Sequence, residues 1–97
     1  MSVERSTALL ENIDSGIVFQ FLNEGNTYPY ALAKPCKGIA IDNCSTSAEL
    51  TVVLTYRDNA TTITIPVPVG TTYNGTFEDF INVTASGATP FDIEVRR

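Results

Sequence analysis

Residues 49–69, ELTVVLTYRDNATTITIPVPV, constrain the fold more than any other stretch of the chain. Leu50, Val52, Leu54 and Tyr56 fall on one face of an extended first half; Ile63, Ile65, Val67 and Val69 fall on one face of the second. Period-two alternation rich in β-branched residues, broken by a polar cluster, predicts two strands folded into a hairpin. Pairing Leu54 with Ile63, Val52 with Ile65 and Leu50 with Val67 sets apolar against apolar. A slip by one residue would turn one strand's apolar set to water, so this register is well specified.

Pro66 and Pro68 refine the turn, because proline cannot donate at a hydrogen-bonded ladder position. A two-residue loop at Asp58-Asn59 would place both prolines where a donor is required. A four-residue loop over 57–60 keeps the same facing side chains and moves the prolines to pairs that exchange no bonds. The four-residue loop is therefore expected, with the prolines' bare side turned outward and the 61–69 segment at a sheet edge.

The remaining segments read as short strands and turns. Residues 17–22 (IVFQFL) follow a turn signal at 14–16 and form a strand. After a turn at 23–26, residues 27–33 (TYPYALA) return as a weaker strand on which Tyr28, Tyr30 and Leu32 share a face. Residues 34–38 read as a loop, 38–43 as a short strand, 43–47 as a turn, 70–75 as a turn around Asn74-Gly75, and 76–80 as a helical turn or crossing segment. Ile81, Val83 and Ala85, with Phe91, Ile93 and Val95, predict a closing hairpin. In it Val83 stands opposite Ile93 across a five-residue loop at 86–90. The expectation is an all-β fold, a small antiparallel β-sandwich or flattened barrel of six or seven strands over residues 13–97. Residues 1–12 are polar with Val3, Leu9 and Leu10 interspersed, and read as an N-terminal arm.

Composition sets limits on function. At 97 residues the chain makes one domain, and 43% apolar content with 18% charged residues is that of a folded protein. Six basic against eleven acidic residues give a net charge of −5, which argues against nucleic acid as partner. Lys34/Lys37 and Arg96/Arg97 are the close basic pairs, each read as an ordinary solubilising surface. No apolar run has the length of a membrane span, and the first residues lack the apolar stretch of a signal peptide. Synthesis in a cytoplasm is expected.

Histidine is absent, which removes the commonest general base and metal ligand and leaves no catalytic triad to assemble. No phosphate-binding glycine loop occurs, and no acidic run has the spacing of a calcium loop. Cys36 and Cys44 flank a short strand without further soft ligands nearby in sequence, so the default is two reduced cysteines, at least one packed as a small hydrophobe. Neither cofactor nor metal nor enzymatic activity is expected. Tyr28, Tyr30 and Tyr73 offer an aromatic surface, and a carbohydrate-binding or adhesion module is the alternative they support.

From residue 38 onward the chain resembles small structural proteins of tailed bacteriophages. The likeness lies in the strand pair LTVVLTYRDNATTITIPV, the VPVG step, the segment TYNGTFEDF, the strand INVTA and a closing alternating strand that ends in Arg. The resemblance implies a structural virion protein, made in the host cytoplasm: a head-decoration or cement protein, a spike base, or a small tail-associated protein. Its implied partner is the major capsid protein or another virion protein, with a homo-oligomer, a trimer, suited to capsid sites of threefold symmetry. Val3, Leu9 and Leu10 of the arm, with Tyr28 and Tyr30, are the expected partner contacts.

Overall fold

The computed structural model describes residues 18–97. The arm at 1–12, with Val3, Leu9 and Leu10, lies outside the described residues. Six strands, β1 (Val18–Asn23), β2 (Tyr30–Asn43), β3 (Leu50–Tyr56), β4 (Thr62–Val67), β5 (Thr72–Ser86) and β6 (Phe91–Arg96), form one antiparallel sheet in the order β1-β6-β2-β5-β3-β4. The fold is all-β, as expected, with no helix among the described residues.

The central hairpin has the register that its alternation demands: Leu50 faces Val67, Val52 faces Ile65 and Leu54 faces Ile63. Tyr56 N donates to Thr61 O at 2.8 Å, so residues 57–60 make the loop. Asn59 takes the left-handed conformation there, φ 58°, and Asp58 accepts from the Ala60 and Thr61 amides at 3.0 and 2.9 Å. Counting outward from the Tyr56–Thr61 bond, Pro66 opposite Thr51 falls at a pair that exchanges no backbone bonds. Its bare nitrogen faces the open side of β4, which is the edge of the sheet.

Two long strands fold the sheet back on itself. β5 and β6 both pair antiparallel with β2 and so run parallel to each other, yet only residues 87–90 join them. Parallel neighbours in a flat sheet need a connection of about a dozen residues. β5 resolves this by changing layer together with β2: residues 72–76 pair with residues 38–42 of β2, whereas residues 80–86 pair with β3 and, at Phe80, Asn82 and Val83, with the first half of β2. β2 and β4, which a flat sheet would hold about 14 Å apart, come within 8 Å of each other. One core fills the fold, from Leu22, Ile39 and Ile41 through Leu50, Val52 and Leu54 to Phe80, Val83, Ile93 and Val95.

Four local expectations are corrected. The closing hairpin does not form: Val83 lies opposite Leu54 and Tyr30, whereas Ile93 lies opposite Ile41 and Leu22. Alternation assigns a face, and Val83, Ile93 and Val95 do point inward, but it does not choose a neighbour; β2 takes β5 along one edge and β6 along the other. Likewise β1 and β2 are separated by β6. Residues 34–38 are part of β2, where Pro35 interrupts the ladder as a bulge, with the register shifting between Ala31 and Cys36 and again before Gly38. Residues 72–80 are strand, with neither a turn at Asn74-Gly75 nor a helical segment. Gly75 lies opposite Ile39, and the rings of Tyr73 and Phe77 stack across it with centroids 6.5 Å apart. A Cβ there would come within 2.8 Å of the Tyr73 ring. The glycine makes room for the rings, as glycines within strands often do.

Candidate functional site

Strand direction sorts the charges by end. Where β3 finishes, Tyr56 stands opposite Phe80, Phe80 opposite Cys36, and Gly38 opposite Arg96. This end carries Lys34, Lys37, Arg57, Arg96 and Arg97, every cation among the described residues. At the other end Asn43 stands opposite Phe91, Asp92 opposite Asn23 and Asp42, and Leu50 opposite Val67. Glu24 and Glu49 lie there exposed, with the half-buried Asp42 and the buried Asp92, both of which have partners within the protein.

At the basic end Lys34, Pro35, Lys37, Arg57, Asp79 and Arg97 line a groove of about 350 Å³. The bulge of β2 places the two lysines, and the central hairpin delivers Arg57, whose amide donates to Asp79 O at 3.0 Å. The Asp79 carboxylate lies 3.4 Å from both Lys37 Nζ and Arg57 Nη1, and so holds the two cations side by side. Their side chains stay 62% and 73% exposed, so these ion pairs organise the groove and add little stability. Four cations against one carboxylate leave a positive excess suited to an anionic group. The adjoining hollow, about 610 Å³ with Asp58, Glu78 and Asp79 in its wall, has no such excess. Beneath the groove Cys36 is buried; burial pushes its thiol up, against the opposing charge of Arg97. At the hairpin tip, hydrogen bonds from the Thr61 hydroxyl and from the Thr61 and Ala60 amides hold the Asp58 carboxyl below its usual range.

At the acidic end Glu24, Tyr28, Ser45, Ser86, Thr89 and Phe91 border a hollow of about 480 Å³. Glu24 Oε2 accepts from the Phe91 amide at 3.3 Å. Tyr28 and Tyr30 are brought together as expected, ring centroids 6.5 Å apart, but half-buried and tilted by 51°. Tyr28 also packs on Phe91 at 5.8 Å. Its hydroxyl donates to Asn23 O at 3.0 Å, and the Tyr30 hydroxyl accepts from Gln20 Nε2. Burial, then Glu24, Tyr30 and Asp92, push the Tyr28 phenol up to about 12. Tyr73 stacks on Phe77, so the three tyrosines do not form one flat platform.

Both cysteines are free, Cys36 buried and Cys44 half-buried. Asp42, Cys44 and Asp92 each bring a ligand atom to within 4.8 Å of the others. Asp92 arrives by strand register, opposite Asp42, which spacing along the chain could not reveal. The three fall one short of the four ligands of a structural zinc site, and each already has a partner within the protein.

Glu94 lies between the two ends, 1% exposed, with Oε2 lacking a hydrogen-bond partner among the described residues. Burial, and then the charge of Asp92, raise its carboxyl above the ordinary value. The unfolded chain holds its proton less tightly, so the penalty of ionisation is full above the raised value and fades as pH falls from there to the ordinary carboxyl value of the unfolded chain. Glu94→Gln is therefore expected to melt above wild type at neutral pH. The two curves should converge near about pH 4, where the carboxyl is protonated in both states. A gap that stayed constant across the titration would contradict this.

No family model, curated protein or solved structure matches the chain.

Proposed function

We propose that this chain is a non-enzymatic structural protein of a tailed-bacteriophage virion, a head-decoration or spike-base component that binds the capsid surface and associates with copies of itself. The observation that carries the reading is the separation of charge: Lys34, Lys37, Arg57 and Arg97 on one groove, with the exposed Glu24 and Glu49 at the opposite end. A single continuous sheet around one core is a rigid support on which such surfaces keep their spacing. Surfaces of this kind suit docking between charged faces, where complementary potentials set orientation and rate. The likeness of residues 38–97 to small phage structural proteins supplies the virion setting.

The test is add-back. Particles produced with the gene inactivated are incubated with the purified full-length protein and sedimented. Saturable co-sedimentation is the expected result, and protein left wholly in the supernatant at every concentration would overturn the proposal.

A further inference from the structure

We infer that copies of this chain associate head to tail, the basic groove of one receiving the acidic end of the next. The argument starts from distance. Glu49 precedes β3 and Arg57 follows it, so eight residues of extended chain hold them about 26 Å apart. Charges separated by more than about 8 Å are largely screened at physiological ionic strength. The two ends therefore cannot neutralise each other within one chain, whereas they can between chains.

The receiving groove, about 350 Å³, has Lys37 and Arg57 exposed in its wall, and the acidic end presents Glu24 and Glu49 at exposed positions. Groove and acidic end are different surfaces, so the contact is heterologous, and repeating it gives a closed ring or an open filament according to the rotation between copies. Closure at three copies would produce the trimer that a threefold capsid site accommodates. The inference rests on the self-association in the proposed function and not on the virion setting. Tested on the purified protein, it can fail while the chain still proves to be a virion component, and the reverse also holds.

Charge swapping is the experiment. One full-length variant carries Lys34→Glu, Lys37→Glu and Arg97→Glu, which makes both ends acidic; a second carries Glu24→Lys, Ser47→Lys and Glu49→Lys, which sets three lysines against Asp42 and Asp92 and makes both ends basic. Because Glu24 also holds the Phe91 amide, a third variant with Thr46→Lys, Ser47→Lys, Glu49→Lys and Thr89→Lys reverses the same end through four exposed positions. Circular dichroism identifies the variants that are folded, and sedimentation velocity reads the association. Wild type is expected to form larger species at low salt that dissociate in high salt. Each folded variant alone should sediment as a monomer, and an equimolar mixture of the acidic-ended and basic-ended variants should recover the larger species. The inference is overturned by a wild-type protein that stays monomeric at low salt, by a single variant that associates as wild type does, or by a mixture that stays monomeric.

Discussion

Replacing Asn43 by Asp is expected to destabilise the fold by about 3–5 kcal/mol, the range for an uncompensated buried charge. Asn43 is fully buried. Its Nδ2 donates to Val67 O at 2.9 Å and Ala48 O at 3.0 Å, with Pro68 O at 3.3 Å, and its Oδ1 accepts from the Ser45 amide at 3.0 Å. One side chain thus ties the end of β2 to the 44–49 connection and to the last residues of β4. Aspartate has the same shape but only accepts, so its carboxylate would face carbonyl oxygens that have lost their donor. Asn43→Ala, which leaves the carbonyls unpaired but introduces no charge, should cost less, about 1–3 kcal/mol. Urea unfolding of both variants checks the order. Equal losses would show that charge is not what matters at this position.

Phe80→Ala is the second large effect, expected at about 3–5 kcal/mol as for other buried aromatics cut back to alanine. Phe80 is fully buried and stands opposite Cys36 of β2 on one side and Tyr56 of β3 on the other, where the register of both ladders shifts. It therefore fills the corner where β5 passes from one layer to the other. A domain of this size gains or loses about 4–8 °C in Tm per kcal/mol, so a thermal melt resolves the change easily. A loss no larger than about 1 kcal/mol, as in a site that collapses around the truncation, would show that the corner is held by backbone pairing alone.

The sequence made some of this legible and not the rest, for definite physical reasons. In the 49–69 hairpin, face, register and loop length were readable together, because alternation and two prolines constrain the same ladder. In β5 and β6 only the face was readable: an alternating strand tells what it buries and not which strand lies beside it. Pro35 and Asn74-Gly75 carry ordinary breaker chemistry, yet both sit inside strands. A bulge absorbs the first, and the Tyr73–Phe77 stack covers the second. The pair Tyr28 and Tyr30 was visible as a contact candidate, but the engagement of both hydroxyls within the fold was not. The basic groove was hidden for a related reason. Lys34 and Lys37 stand twenty and more residues from Arg57, and sixty from Arg97, so from residue 34 onward the chain shows two small basic pairs and a lone arginine where the fold makes one groove around Asp79. Asn43 looked like a turn residue at a strand end, with nothing local to mark it as a buried bracket.

The most direct test of the structural-protein reading is the composition of the particle itself. Under the proposed function a tailed phage encodes this chain; its virions, purified through a density gradient and washed in salt low enough to preserve charge-assisted contacts, should be digested and quantified by mass spectrometry. The reading predicts that the chain is present in a fixed ratio to the major capsid protein, the same in independent preparations. Its absence, or a trace amount that varies with each wash, would contradict it.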